Sequence, residues 1–576
     1  MRDERRIVVI GAGPAGLHAA LAAARAGARV TLVDNGARVG GQYHRHAPPA
    51  DEPGPGHAPV RPDQAPPAGG PAPGRAPEGQ RLARAVAAHP AIDHRPHTTA
   101  WSIEPARDAG GGAPAPHLVH VLTGPADGFR TPGTLAADAL VLCPGAFDRS
   151  LPFPGWDLPG VVTAGAAQAL AKGQRLAVGQ RVIVAGTGPF LLPVAAALLG
   201  AGARVLGVWE AGSPTGWLRS PLAALRDGRG KLPELAAYAG TLARHRVPYR
   251  TRRAVVAAHG EGRLRAVTAA RLAPDWTVRP GSERRVEGVD ALCVGYGFTP
   301  QLELALAAGC ALEDGPDGTP RVALRAGQRT SVPRVYAAGE LTGVGGAELA
   351  AHEGELAGLV AATALGHRAG DPARVAWLRR RVRSGRRFAA ALALAHPVRP
   401  GWHTWLRGDT LVCRCEEVSY DALRAAVTER HVDGPRALKL ACRAGLGACQ
   451  GRTCGRAVTE LAAGLTPSTP APSTPAPSTP APSTPASSAP APGAPTPRGR
   501  QPLGHADRYA IDARPIAQPI RLGDLAGLPG DSPAPVDLPI PTDSPNPTDL
   551  TPPPLTSPPP DELAPPQHRD PQPPDA

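Results

Sequence analysis

The sequence has few aromatic residues, and this scarcity bears on how its charge is interpreted. Phe, Trp and Tyr make up 4% of the 576 residues, whereas Lys and Arg outnumber Asp and Glu by 62 to 49, a formal net charge of +13. Nucleic-acid interfaces combine clustered basic residues with stacking aromatic side chains. Because the Arg residues are dispersed here, we expect no nucleic-acid partner, and an acidic redox partner remains the alternative explanation of the charge.

Long apolar runs are also missing. The nearest candidate, residues 194–208, contains Arg204, and a membrane-spanning helix needs roughly 18 or more apolar residues. The charged and then apolar start of the chain is interrupted at Gly11 and has no small-residue cleavage site after it, so it predicts a strand rather than a signal peptide. We therefore expect no transmembrane segment, while peripheral association with a membrane stays open.

A disulfide-type cysteine pattern is absent as well. Four of the eight cysteines form a different frame, in which Cys413-x-Cys415 is followed by 33 residues and then by Cys449-x-x-x-x-Cys454. Four thiolates in such a frame predict a metal site. Thiols reserved for a metal make a cytoplasmic location the default expectation.

The spacing within this frame favours iron over zinc. Structural zinc sites usually take ligands from C-x-x-C turns, whereas a one-residue gap places two sulfurs on one tight turn, as suits one iron of a [2Fe–2S] cluster. Nearby glycines allow backbone N–H groups to approach sulfur; they are Gly445, Gly447, Gly451 and Gly455. Structural zinc and unligated thiols remain alternatives. The run 443–454 resembles the bacterioferritin-associated-ferredoxin type of [2Fe–2S] domain, which implies that all four cysteines are cluster ligands.

A dinucleotide-binding motif begins the chain. An apolar strand at residues 7–10 is followed by Gly11-Ala-Gly13-Pro14-Ala15-Gly16, a helical run and a second strand that ends at Asp34. The first glycine permits a tight turn, the second lets pyrophosphate approach the helix N-terminus, the third allows close helix–strand packing, and the acid can bind a ribose hydroxyl. Gly41 and Gln42 follow in a Gly-Gly-Gln run that resembles FAD-binding members of the two-dinucleotide-domain flavoproteins, so the first cofactor is predicted to be FAD.

A second unit of the same type starts near residue 181. It carries Gly186-Thr-Gly188 and a strand that ends at Glu210, but Leu191 stands at the position of the third glycine. A bulky side chain there separates helix from strand and weakens the case for close binding of a nicotinamide cofactor. Glu210 could still hold an adenosine ribose. An adenine nucleotide, NAD or ATP, is therefore an open alternative for this domain.

Two further glycine turns return the chain to the first unit. The flavoprotein resemblance implies that Gly145, in the run that begins at Cys143, and Glu340, after Gly339, contact FAD; Cys143 itself is interpreted as a packing residue. A helix that begins near Gly346 and Ala347 would direct its N-terminal amides at the flavin.

Several motifs together resemble one enzyme family, the flavoprotein subunits of the opine oxidase and hydrogen cyanide synthase type, which are similar to the alpha subunits of bacterial proline and hydroxyproline dehydrogenases. The resemblance covers most of residues 1–464 and resumes at 513–526. It implies an α/β fold with two Rossmann-like domains. The implied partners are a separate substrate-oxidising FAD subunit and, optionally, a small ferredoxin-like subunit. The motifs that carry the resemblance are 149–161, 165–170, 186–189, 295–300 and the cysteine frame.

The predicted domain organisation follows from these motifs and from composition. From residue 466 onward the chain is dominated by Pro, Ser, Thr and Ala, which cannot bury enough apolar surface to offset the entropy of ordering. The predicted segments are an FAD-binding domain in two parts (1–150 and 286–368, with a Pro-rich insertion at 47–78), a second dinucleotide-type domain (151–285), a helical connector (369–408), a small helical [2Fe–2S] domain (409–464), a disordered linker (465–505), a docking segment (506–528) and a disordered tail (529–576).

The functional hypothesis combines the two predicted redox groups. A flavin exchanges electrons in pairs and a [2Fe–2S] cluster exchanges them singly, so a chain with both converts two-electron into one-electron transfer. No catalytic residue stands out, and no dithiol follows the first motif, which argues against a disulfide reductase. The leading hypothesis is an electron-relaying subunit of an amine or imino acid dehydrogenase. The alternatives are a self-sufficient NADH-dependent reductase and a zinc-holding scaffold whose Pro-rich tail recruits partners.

Overall fold

The computed structural model describes residues 5–45, 78–106, 115–125, 128–432, 434–465, 512–514, 516–518, 520–521 and 523–524. The predicted Pro-rich insertion, linker and tail lie outside these residues except at residues 78 and 465, and the predicted domain bounds stay predictions. Within the described ranges, no helix has both the length and the apolar character that crossing a membrane requires.

The first segment of the chain alternates strands with helices and then forms a run of strands. The predicted strand at 7–10 and the helix after it are present. The elements are β1 (Arg6–Ile10), α1 (Pro14–Arg25), β2 (Arg29–Val33), α2 (Glu78–Ala87), β3 (Ile92–Arg95), β4 (Thr98–Glu104), β5 (His117–Thr123), β6 (Thr131–Ala137), β7 (Ala139–Leu142) and β8 (Ala146–Asp148).

The middle segment repeats the strand–helix alternation and adds a small antiparallel sheet. Its elements are β9 (Val161–Thr163), α3 (Ala164–Gln174), β10 (Arg181–Gly186), α4 (Leu191–Gly200), β11 (Arg204–Glu210), α5 (Pro221–Asp227), α6 (Leu232–Arg244), β12 (Tyr249–Thr251), β13 (Arg253–His259), β14 (Ala266–Arg271), β15 (Arg284–Glu287) and β16 (Ala291–Gly295).

The last segment returns to the first sheet and ends in a small helical domain. Its elements are β17 (Phe298–Pro300), α7 (Glu303–Ala307), β18 (Leu312–Asp314), β19 (Pro320–Val322), β20 (Val335–Ala337), α8 (Ala347–Ala364), α9 (Pro372–Ala395), β21 (Leu411–Cys413), β22 (Val418–Ser419), α10 (Tyr420–Thr428), α11 (Gly434–Cys442) and α12 (Gly455–Leu465).

Two five-stranded sheets form the cores of two Rossmann-like domains. Their strand orders are β20-β7-β1-β2-β3 and β12-β11-β10-β16-β9, and every pairing within them is parallel. Because parallel strands are covered on both faces, they read as continuous apolar runs, as β1 and β7 do. In both sheets the glycine turn follows the central strand, which places it at the crevice where such folds bind ligands.

Glycines determine how closely α1 packs in the first domain. A Cβ at Gly16 would lie 1.7 Å from the carbonyl oxygen of Gly11, and Cβ atoms at Gly354 and Gly358 of α8 would lie 1.9 and 2.2 Å from carbonyl oxygens of α1. Without side chains at these points, α8 rests directly on the α1 backbone. This contact holds the helix that begins at the first glycine turn.

The two glycines of α8 should therefore resist substitution, unlike a glycine on an open helix face. We expect Gly354→Ala to lower the free energy of unfolding by about 1–3 kcal/mol, because the added methyl group overpacks a backbone contact. Gly240→Ala in α6 is the matched control: nothing lies within 4 Å of its Cβ position, so the variant should gain up to ~1 kcal/mol of helix propensity. Thermal unfolding midpoints measure both, and equal midpoints would contradict this packing.

Candidate functional site

A cavity of about 1370 Å³ lies between the glycine turns of the two Rossmann-like domains. Ligand pockets usually measure roughly 300–1,000 Å³, so this one can take an extended dinucleotide. Most of the predicted cofactor-binding residues line it, whereas Gly16, Gly186 and Glu210 do not. The lining residues among them are Gly11, Gly13, Pro14, Ala15, Asp34, Gly41, Gln42, Gly145, Gly339, Glu340, Gly346, Ala347 and Gly188.

The first glycine turn has the backbone geometry expected of a nucleotide cradle. Gly11 has φ +98°, and a Cβ on it would lie 2.2 Å from the Cys143 carbonyl oxygen. At Gly145 (φ +90°) and Gly346 (φ +85°), by contrast, a Cβ would meet no atom within 4 Å. These two glycines face open cavity rather than packed protein. The cradle therefore fits FAD, whose phosphates need close backbone approach.

Asp34 sits at the rim of this cradle. It accepts hydrogen bonds from the backbone amides of Ala12 (2.5 Å) and Gly36 (2.6 Å). Burial raises the pKa of this carboxyl above its ordinary value, and the two amides act in the opposite direction. Because the carboxylate still lines the cavity, it has acceptor capacity left for a ribose hydroxyl.

Two carboxyl groups, from Glu340 and Glu353, lie at the other end of the cradle. Burial raises the pKa of Glu340 to about 7, while the Gly346 amide, 3.0 Å from its Oε1, lowers it. Glu353 of α8 was not predicted from the sequence. It accepts from the Gly339 amide (2.9 Å) and pairs with Arg386 (2.9 Å), so it fixes the turn that carries the predicted FAD contact. No local sequence signal distinguishes it from Glu348 and Glu355 of the same helix.

In the second domain, the acidic residue after the second strand is engaged by the protein itself. Glu210 is 2% exposed and accepts from the hydroxyl of Thr187 (2.6 Å) and from the amides of Gly188 (2.8 Å) and Gly212 (2.7 Å). His396 lies 3.8 Å away, at the end of α9. This carboxylate has little capacity left for a ribose, and the Gly188 amide is not free to meet a phosphate.

The four predicted metal-ligating cysteines come together in the small helical domain. The Sγ atoms of Cys413 and Cys415 are 3.9 Å apart, those of Cys415 and Cys449 are 3.7 Å apart, and those of Cys413 and Cys454 are 3.6 Å apart. Two sulfurs that share a tetrahedral metal at ~2.3 Å lie about 3.8 Å from each other. The donor set and the spacing of neighbouring sulfurs therefore fit iron or zinc.

Hydrogen bonds favour the thiolate form at two of the four cysteines. A hydrogen bond from Cys454 lowers the pKa of Cys449 to about 4 and that of Cys413 to about 6, and backbone amides support both shifts. The pKa of Cys454 is raised because its thiol donates to both neighbours, and burial raises the pKa of Cys415 to about 11. Protons are thus shared among four coupled thiols, and a cation would displace them.

The cysteine loop, residues 449–454, lies against the wall of the cavity. Arg452, between the third and fourth cysteines, places its guanidinium 5.9 Å from the centre of the Phe147 ring, and Phe147 lines the cavity. Arg149 also lines the cavity and pairs with Glu460 of α12 at 2.6 Å. Sequence reasoning assigned no contact to these four residues, because nothing local marks a contact between segments about 300 residues apart.

Comparison with known proteins agrees with this geometry. Residues 5–354 match the pyridine nucleotide-disulphide oxidoreductase family, and residues 411–463 match the BFD-like [2Fe-2S] binding domain. These matches confirm the predicted α/β fold class and the predicted FAD and [2Fe–2S] groups, and they disfavour the zinc scaffold. They also confirm the predicted enzyme class, an FAD-dependent oxidoreductase.

Curated relatives confirm the expected resemblance. Hydrogen cyanide synthase subunit HcnB of Pseudomonas protegens is 31% identical over 453 residues, which cover 78% of this chain and 89% of the relative. An opine oxidase subunit from Agrobacterium tumefaciens is 32% identical over 471 residues, covering 80% and 86%. The solved L-proline dehydrogenase of P. horikoshii has a TM-score of 0.52 at 18% identity, covering 80% of this chain and 74% of that one, and supports the fold alone.

The four cysteines should bind iron, whereas their neighbour Cys442 should not. Cys442 lies in α11, half-buried, and its thiol donates to the Leu438 carbonyl at 3.3 Å. We expect wild type and Cys442→Ser to contain about two irons per chain and Cys415→Ser to lose most of its iron and visible absorption. Metal analysis and absorption spectra measure this, and full iron in the Cys415 variant would remove it from the ligand set.

Glu340 should make stability depend on pH. Its pKa in the folded protein is raised above the unfolded value, so its stabilising contribution is fully present at low pH and is lost as pH rises through about 7. For flavin-free protein, we expect the unfolding midpoint of Glu340→Gln to rise relative to that of wild type as the pH increases from 5 to 8. The exposed Glu348→Gln in α8 is the control. A midpoint difference that does not change with pH would contradict a raised pKa.

Proposed function

Because the chain belongs to the pyridine nucleotide-disulphide oxidoreductase family and carries a BFD-like [2Fe-2S] binding domain, we propose that it is the electron-relaying subunit of a heteromeric, cytoplasmic amine or imino acid dehydrogenase. The substrate would be of the opine, proline or glycine type. The partner would be a substrate-oxidising FAD subunit, and a small ferredoxin-like subunit would be a further member. The relatives are themselves named as subunits, which supports this assignment.

One observation carries the proposal: the cysteine loop contacts the wall of the dinucleotide cavity through Arg452 and Phe147. When bound, a flavin exchanges electrons in pairs and a [2Fe–2S] cluster exchanges them singly. The protein supplies positions for both groups at adjoining sites. The cradle residues Gly11, Gly13 and Asp34 would hold the nucleotide part of FAD, and the amides that begin α8 at Ala347 would stabilise negative charge on the ring.

Two buried carboxyl groups beside the cradle are already engaged by the protein. Glu353 is neutralised by Arg386, and Glu340 is held by the Gly346 amide. Cys143, beside the cradle, has a pKa raised by burial, and no second cysteine accompanies it in the described part of the cavity wall. In the proposal, the partner subunit oxidises the substrate and this chain relays the electrons.

The division of labour can be tested by purifying the chain alone and together with the product of its genomic neighbour. We expect amine- or imino-acid-dependent dye reduction by the complex and none by the isolated chain. Both samples should contain flavin and iron, which controls for loss of cofactor. Amine-dependent dye reduction by the isolated chain would overturn the proposal.

The NADH-dependent reductase is the second candidate, and the geometry of Glu210 argues against it. The carboxylate oxygens of Glu210 already accept hydrogen bonds from Thr187, Gly188 and Gly212. Glu210 would have to break those bonds to hold a ribose. We expect excess NADH to bleach the flavin far more slowly than dithionite does in the same stopped-flow apparatus. Bleaching by NADH at a rate comparable to turnover would favour the reductase.

A further inference from the structure

The described residues between 512 and 524, here called the strap, lie at the boundary between the FAD-binding domain and the cysteine loop. Ala517 is 1% exposed. Its amide donates to the Trp101 carbonyl of β4 at 2.7 Å, and its own carbonyl accepts from the guanidinium of Arg452. One residue of the strap is thus bonded to the FAD-binding domain on one side and to the cysteine loop on the other.

Buried charges extend this junction. Glu303, at the start of α7, is 3% exposed and pairs with Arg452 (3.1 Å) and with Arg514 of the strap. Asp512 lies 3.7 Å from Arg514. The two arginine side chains are only 8% and 5% exposed. Removing one member of such a network leaves another charge buried without its partner, so the network is sensitive to each of its members.

Arg452 connects the network to the cysteine site. It lies between Cys449 and Cys454, donates to the Cys449 carbonyl at 3.3 Å, and covers the Phe147 ring of the cavity wall. A planar guanidinium with five donors can make all these contacts at once. Its side chain is therefore held from three directions, by the loop, by Glu303 and by the strap.

A second anchor fixes the far end of the strap. Asp524 pairs with Arg130 at 2.5 Å, and Arg521 donates to the Gly128 carbonyl. Both contacts are to the chain that precedes β6, in the FAD-binding domain. Gln518, between the two anchors, lines the cavity. The described residues of the strap therefore contact the cysteine loop at one end and the FAD-binding domain at the other, and Gln518 forms part of the cavity wall.

We propose that the strap holds the cysteine loop at its working distance from the flavin cavity, with Arg452 and Arg514 as positioning residues for electron transfer between the two sites. The strap takes no part in the electron exchange itself. Its effect is geometric, because the rate of electron transfer falls steeply as two redox groups move apart. This inference rests on the proposed relay function but not on the identity of the substrate or partner.

The test compares Arg514→Gln with Arg436→Gln, an exposed arginine of α11, in the full-length chain loaded with flavin and iron. The flavin is reduced by a light pulse with EDTA present as the electron donor, and cluster reduction is followed by absorption. We expect Arg514→Gln to slow this transfer by about tenfold or more and to raise hydrogen exchange in residues 443–455, with iron content unchanged. Arg436→Gln should match wild type in both measurements.

Arg514→Lys keeps the charge but loses the planar fork. It should recover part of the protection from hydrogen exchange and part of the electron-transfer rate. This variant also provides the test if Arg514→Gln folds poorly. Wild-type rate and protection in both Arg514 variants would overturn the strap while leaving the relay intact. If wild-type protein shows no transfer at all, the relay fails, and the exchange data still decide whether the strap orders the loop.

Discussion

The second Rossmann-like domain and the small cysteine-bearing domain share one apolar core, and this core determines where the cysteine-bearing domain lies. Trp402 and Trp405 pack into the same buried cluster as Trp276 and the strands of the second domain. The indole of Trp405 donates to the Trp276 carbonyl at 3.0 Å, and that of Trp156 donates to the Leu411 carbonyl at 2.6 Å. Large buried aromatic side chains with satisfied N–H groups make a rigid contact, and this contact fixes where the cysteine loop can lie.

Each Rossmann-like domain has a five-stranded parallel sheet, but the acidic residue after the second strand of the motif is engaged differently in the two domains. Asp34 accepts two backbone amides and still faces the cavity, whereas Glu210, one methylene longer, reaches the amide of Gly188 and the hydroxyl of Thr187 and is sealed from solvent. His396 lies 3.8 Å from Glu210, and its ring meets the Trp217 ring edge-on. The second domain packs against the cysteine-bearing domain, and the first keeps an open nucleotide cradle.

Sequence reasoning reached those features that local chemistry determines. A Gly at position 11 or 16 is required because a side chain would collide with a neighbouring carbonyl, and this requirement leaves a readable motif. The cysteine frame that begins at Cys413 could be predicted because the short spacing within each cysteine pair is visible in the sequence. The pairing of Glu303 with Arg452 could not be predicted, because it depends on two distant segments meeting in three dimensions. Cofactor-binding roles of individual residues stay predictions.

We propose that a flavin and an iron–sulfur cluster in this chain exchange electrons through the contact near Arg452 and Phe147. Freeze-quench electron paramagnetic resonance tests it most directly, with the substrate-oxidising partner bound and an amine added under anaerobic conditions. We expect a reduced [2Fe–2S] signal that appears after flavin reduction and within the turnover time. Flavin that becomes fully reduced while the cluster stays oxidised over many turnovers would contradict it.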